Sequence, residues 1–283
     1  MSALTHSADS YVPIASRRNP LIRRLARLDQ APAARQEEGL YILWGWKVVE
    51  EALREPGRVE RLLLGSRLSR QAAGRSLLRR VLKDSLPVSI VEEEILEEAV
   101  AGAGDQGILA LARMKRASPG EISGLRRDPI LLVADRIQDP GNLGTLVRLG
   151  EAAGIAGLVI VPGTVDPYHT RAARASSGSI LRVPVARVAG VQEFASWCRT
   201  RKLRIAATIP EGGTPCDQAD LRRGMALVVG NEGEGVSREW LEAADLRLTV
   251  SLEESVQSLN VTLAAAMLLY EALRQRRLGA KDG

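Results

Sequence analysis

From Ile130 onward the chain reads as short apolar runs separated by segments of helix length, and this alternation limits the fold more than any other feature. The runs are residues 130–134, 158–161, 203–208, 226–229 and 246–250. Residues 130–134, 158–161 and 226–229 are apolar throughout and 203–208 largely so, as in strands buried on both faces. Helical patterns occupy 143–153, 191–201, 237–243 and 259–276. Strand and helix in turn predict a parallel sheet with helices on its faces. Such sheets bind ligands where the strands end, at the carboxyl edge.

A smaller alternation precedes this one. Residues 1–15 are polar and unpatterned, which predicts a flexible tail. Leu21, Ile22, Leu25 and Leu28 then recur at helical spacing. Strand-like runs at 40–44, 59–64, 88–91 and 108–112 alternate with helical segments at 47–53, 71–83 and 93–100. This predicts a small α/β domain over 16–114 and a linker over 115–128, where Pro119, Gly120, Gly124 and Pro129 cluster. A second domain spans 129–283. At 283 residues the chain suits two ordinary domains.

Composition excludes several classes. The longest apolar run is the eight residues of Leu263–Tyr270, where a membrane-spanning helix needs roughly 20. The N-terminus has no apolar signal core, so a cytoplasmic location is expected. Cys198 and Cys216 lack the spacing of a zinc site, and His6 and His169 are the only histidines, so no metal site is expected. Net charge is +5. Residues 1–128 hold 21 Lys and Arg against 17 Asp and Glu, and residues 129–283 hold 18 against 17. A basic N-terminal half suits phosphate contacts, and a merely solvated basic surface accounts for it equally well.

Three loops concentrate polar and glycine residues where apolar runs stop. The first is Asp135–Arg148, DRIQDPGNLGTLVR. Asp139-Pro140-Gly141-Asn142 reads as a turn, with Asn142 a candidate cap for a helix starting at Leu143. The second is Gly230–Gly235, GNEGEG, whose glycines allow backbone groups to approach a ligand closely. Its order is not that of a dinucleotide fingerprint, which disfavours a nicotinamide-dependent enzyme, and it lacks the Lys-Ser/Thr of a P-loop. The third is Ser258-Leu259-Asn260-Val261-Thr262, at the start of an apolar helix. Ser258 and Asn260 are good helix caps.

Taken together, the loops resemble the SpoU/TrmH family of ribose 2′-O-methyltransferases in the SPOUT superfamily. Asp139, Pro140, Asn142, Gly144, Thr145 and Arg148 match its first motif; Gly230 and Glu232 match its second; Ser258 to Val261 match its third. Arg174-Ala175-Ser176-Ser177-Gly178-Ser179 looks like a further family segment, and residues 16–112 resemble the small ribosomal-protein-like RNA-binding domain of many members. Three stretches depart from the pattern. Val250-Ser251-Leu252-Glu253-Glu254 stands where Ile-Pro-Met-x-Gly is frequent, Leu149 follows Arg148, and Trp44-Gly45-Trp46-Lys47 replaces Glu-Gly-x-Lys. Trp44 and Trp46 suit core packing or stacking on bases.

The resemblance implies an α/β fold whose C-terminal SPOUT domain combines a parallel sheet with a deep trefoil knot, preceded by a small α/β RNA-binding domain. It implies S-adenosylmethionine-dependent methylation of a ribose 2′-hydroxyl, with ribosomal RNA as the leading target. A transfer RNA target, or a non-catalytic RNA-binding protein that kept the fold, are the alternatives. It assigns Arg148, Asn142, Glu232, Ser258 and Asn260 to catalysis. Val229, Gly230, Asn231, Gly233, Val250, Leu252, Ser258, Leu259 and Asn260 would bind the cofactor. Arg17, Arg18, Asn19, Lys47, Arg148 and Arg174 would bind RNA. A homodimer through the knotted domain is also implied.

Overall fold

The computed structural model describes residues 12–102, 106–124, 127–253 and 259–279. The chain divides into two units, residues 1–114 with 168–174, and residues 115–167 with 175–283.

In the first unit, α1 (Pro20–Gln30) and α2 (Pro32–Glu38) precede β1 (Leu40–Trp44), α3 (Trp46–Leu53), β2 (Val59–Gly65), α4 (Ser66–Arg70), α5 (Ala72–Lys83), β3 (Val88–Val91), α6 (Glu93–Ala99) and β4 (Ile108–Arg113). The sheet order is β1-β4-β2-β3, with β4 antiparallel to both neighbours and β2 parallel to β3. Helix α1 starts where the Asn19 side chain accepts from the Leu21 N–H at 2.9 Å, and Pro20 occupies its first turn. It buries Ile22, Leu25 and Leu28 against the sheet face that carries Ile42, Leu63, Leu109 and Leu111. Arg35 is fully buried and donates to the carbonyls of Leu28 and Asp29, which end α1 without further helical partners.

The second unit contains α7 (Pro119–Ser123), β5 (Ile130–Ala134), α8 (Pro140–Ala152) and β6 (Gly157–Ile160). Short helix α9 (Thr170–Ala175) follows, and its residues to Arg174 belong to the first unit. Next come β7 (Val185–Arg187), α10 (Val191–Thr200), β8 (Arg204–Thr208), β9 (Thr214–Pro215), β10 (Met225–Val229), α11 (Arg238–Ala243), β11 (Leu246–Thr249) and α12 (Val261–Gly279). The seven strands run in the order β7-β6-β5-β10-β8-β11-β9, and each neighbouring pair is parallel. The chain builds outward from β5 through β6 to β7, then returns to lay β10 on the other side of β5. Strand order therefore reverses between β5 and β10, whose last residues Ala134 and Val229 lie side by side. Leu131, Val133, Ile205, Val228, Phe194 and Trp240 fill the core on one face of this sheet.

Several boundaries differ from the sequence expectation. Ile14 already pairs with Val91, so ordered chain begins before residue 16, while residues 1–11 lie outside the described part. The expected linker contributes to the second unit. Ser118 and Glu121 form a reciprocal capping box, and Ile122 behind it is fully buried. Helix α8 begins at Pro140, earlier than expected, because Asp139 caps it by accepting from the Asn142 N–H at 2.8 Å. Asn142 is therefore inside the first turn, and its side chain is released from the capping role. Helix α12 begins at Val261 rather than 259.

Candidate active site

The strand reversal brings the first two loops together. Asp135, the residue after β5, donates its N–H to the Val229 carbonyl at 2.9 Å. Its buried carboxylate accepts from the Ser237 N–H at 2.7 Å, tying the end of β5 to the approach to α11. The glycine-rich loop folds back on itself between these points. Asn231 Oδ1 accepts from the N–H groups of Gly233 and Glu234, and the Gly235 N–H donates to the Asn231 carbonyl. Two glycines are demanded by geometry. A Cβ on Gly230 would stand 2.2 Å from backbone atoms of Gly235 and Val236, and Gly235 has φ +71°.

Glu232 is the joint between the loops. Its carboxylate accepts from the Asn142 side-chain amide at 3.0 Å and from the N–H groups of Gln138 and Asp139, each at 3.3 Å. Burial works to raise its pKa, but the Asn142 amide and the backbone N–H groups of Glu232, Gln138 and Asp139 together hold it below the ordinary carboxylate value. Glu232 is thus an ionised acceptor at neutral pH. Asn142 Oδ1 in turn accepts from the Asn260 side chain at 3.4 Å. Asn260 also caps α12, its Oδ1 accepting from the Thr262 N–H at 2.8 Å. Capping of α12 and the bond to Asn142 coexist in one side chain.

A cavity opens beside this network. It is lined by the apolar residues Ile209, Pro210, Leu248, Val250, Leu252, Leu259 and Leu268 and by Gly230, Asn231, Glu232, Gly233 and Gly235 of the glycine-rich loop. Six expected cofactor residues line it: Gly230, Asn231, Gly233, Val250, Leu252 and Leu259. Val229 is buried as the last residue of β10 and does not. Ser258 and Glu254 lie outside the described residues. Thr208, Ile209 and Pro210 also line the cavity. Their only sequence signal is position, at and just beyond the end of the third apolar run.

Arg136 is a further residue whose role the sequence pattern leaves unmarked. It holds φ +55°, unusual for a non-glycine residue. From there it pairs with Glu234 and donates to the Gly235 carbonyl at 3.2 Å, while its own carbonyl accepts from the Asn231 side chain at 2.9 Å. The glycine-rich loop is clamped from both ends of this one residue.

The expected RNA contacts fall into separate places. Arg148 is exposed on α8 and points its guanidinium to Ser177 Oγ at 3.4 Å. Six residues along a helix turn it through about 600°, a net offset of about 120°, so Arg148 and Asn142 lie on different stripes of α8, and no hydrogen bond links the two. Asn19 is engaged as the α1 cap, Arg17 pairs with Glu98, and Arg18 and Lys47 are exposed. Arg174 lays its guanidinium over the Trp44 ring, 4.0 Å from its centroid, and the ring itself is buried. Among the described residues, no group of three or more His, Cys, Asp or Glu is placed to hold a metal ion.

Residues 129–270 match the SpoU rRNA Methylase family, and residues 42–118 match the RNA 2′-O ribose methyltransferase substrate-binding family. The chain belongs to the SpoU rRNA methylase family. A 23S rRNA (guanosine(2553)-2′-O)-methyltransferase of Bacillus subtilis is 30% identical over 83% of this chain and 89% of its own. The SpoU methyltransferase AviRb of Streptomyces viridochromogenes, solved in complex with S-adenosylmethionine, superposes with a TM-score of 0.81 at 25% identity, over 92% of this chain and 99% of its own. A solved RNA 2′-O ribose methyltransferase is 31% identical, with a TM-score of 0.75 over 94% of this chain and all of its own.

Proposed function

We propose that this SpoU-family chain is a cytoplasmic enzyme that methylates a ribose 2′-hydroxyl of RNA, with S-adenosylmethionine as donor and 23S ribosomal RNA as target. The observation that carries the reading is the glycine-rich loop, locked by Glu232 to Asn142 and lining an apolar cavity beyond the carboxyl ends of β8, β10 and β11. The lining fits the donor: aliphatic walls suit a flat adenine, and loop backbone groups suit its polar edges.

The donor supplies an activated methyl group on a sulfonium. The chain's own residues have to present the hydroxyl to it. Glu232, Asn142 and Asn260 fix the loop that shapes the cavity. A guanidinium stays cationic in proteins and is a poor base, so Arg148 acts as an anion clamp. It holds the phosphate beside the target ribose, and that phosphate receives the hydroxyl proton. Alignment of this kind is worth roughly 7–11 kcal/mol. Helix α12 packs against α8 and leaves Leu263, Met267 and Tyr270 about half exposed or more. Such a stripe supports a homodimer through this domain, and the family's trefoil knot is the topology we propose for it.

The test pairs two measurements on Arg148→Ala. Calorimetry is expected to show donor binding near the wild-type value, while transfer of labelled methyl to unmodified 23S rRNA falls to background. Unchanged turnover refutes the assignment. Mapping 2′-O-methylation in cells with and without the gene identifies the nucleotide, and a lost mark on transfer RNA moves the target there.

A further inference from the structure

We propose that the exposed face of α5 is a phosphate track that docks the RNA substrate on the first unit; this rests on the RNA-methylation reading. From Ser66 to Lys83 the chain carries Arg67, Arg70, Arg75, Arg79, Arg80 and Lys83 and no carboxylate. Those 18 residues therefore hold a net +6, more than the +5 of the whole chain. The next helix in the sequence, α6, is correspondingly acidic, with Glu93, Glu94, Glu97 and Glu98, so the overall charge conceals a strongly polarised unit.

The arrangement on α5 is specific. Gly74, Leu77, Leu78 and Val81 are its buried side. At about 100° per residue, Arg75, Arg79 and Lys83 fall in one stripe opposite that side, with Arg80 flanking it, and all four are exposed. Arg80 pairs with Glu50, and Arg75 caps the Arg70 carbonyl. Among the described residues Arg79 and Lys83 have no carboxylate partner.

Arg80 and Lys83 stand in the last turn, where the helix dipole favours a cation, but helix stability does not account for Arg75 and Arg79. Arg75–Arg79 and Arg79–Lys83 are like-charge pairs at i,i+4, which repel. Arg75 stands in the N-terminal half, the wrong end of the helix dipole for a cation. The first turn has no acidic residue. A polyanion relieves this repulsion. The exposed side of α5 otherwise presents Ala72, Ala73 and Ser76, with no large apolar residue to enter a bilayer. A nucleic acid backbone is the partner that this chemistry fits.

The experiment measures affinity for in-vitro transcribed, unmodified 23S rRNA as a function of salt, using the full chain. R75A/R79A/K83A is expected to reduce the slope of log K against log salt by about 2, from roughly 0.7 per lost phosphate contact. Its KM for RNA rises tenfold or more, with kcat at saturating RNA and calorimetric donor affinity unchanged. Alanine favours helix, so α5 is retained, and R75K/R79K restores the slope. R199A/K202A/R238A removes equal charge from exposed positions in the second unit. A wild-type slope and KM in the α5 triple variant overturn the proposal, as does an equal loss in the control variant or absence of RNA binding by the wild type. The binding measurement needs no catalysis. A wild type that binds this RNA without methylating it refutes the methyl-transfer reading and leaves the track standing.

Discussion

At the scale of single residues, the site depends on one carboxylate. Glu232 accepts from a side-chain amide and two backbone N–H groups, and hydrogen bonds to a charged group contribute about 1.5–3 kcal/mol each. Glu232→Gln keeps the size but turns an amide N–H toward those donors. It is expected to weaken donor binding by tenfold or more, measured by calorimetry. The pH dependence has a definite sign. Because the folded-state pKa of Glu232 is depressed, its contribution is present in full above the ordinary carboxylate value of about 4.3 and is lost as pH falls through the lower folded value. Donor affinity is therefore expected to show no step from Glu232 between about pH 6 and pH 9. A wild-type transition there that Glu232→Gln removes would contradict the assignment. Asn142, Glu232 and Asn260 stand out in the sequence as polar residues at the ends of apolar runs, and the structure links them by hydrogen bonds. Their partners were not legible in the sequence. Whether Asn142 caps a helix or reaches across to Glu232 depends on Asp139 taking the cap first, a competition between two good capping residues three apart.

Among the elements, α12 shows how a largely apolar helix is fixed in one place. Ala265, Leu268, Leu269 and Ala272 are buried, but apolar contacts alone do not set the register of a helix. Polar side chains near its end do so. Gln275 accepts from the Leu221 N–H and donates to the Ala219 carbonyl, both at 2.9 Å. Arg276 donates to the carbonyls of Leu221, Asp128 and Arg223. Glu271 lies beside them, its pKa lowered to about 2 chiefly by hydrogen bonding from Arg274 and then from Gln275. Arg276→Ala leaves three carbonyls short of this donor, and is expected to cost about 1–3 kcal/mol, read as a lower urea midpoint at constant slope. The alternation of elements predicted this helix and the main strands. It missed β7 and β9, which have three and two residues. Strands that short carry too little pattern to separate from a loop.

For the whole molecule, a homodimer makes a direct prediction. Replacing Leu263, Met267 and Tyr270 by Glu places three charges on the exposed side of α12. Light scattering at micromolar concentration is expected to shift from a dimer mass to a monomer mass. A wild type that is already a monomer counts against the dimer. The fold class was legible in the sequence, because near-continuous apolar runs of four to six residues alternating with helical segments suit a parallel sheet covered on both faces. The sequence also determined which residues could serve the site, because glycine, asparagine and glutamate at strand ends perform tasks that apolar residues cannot. Only the tertiary structure decided which of these groups meet. Strand order is set by long-range packing between similar apolar runs, and nothing within β10 itself specifies β5 as its neighbour. That pairing brings Glu232 to Asn142 across ninety positions of sequence. Helical geometry along α8 meanwhile sets Arg148 about 120° round the axis from Asn142, where it reaches Ser177.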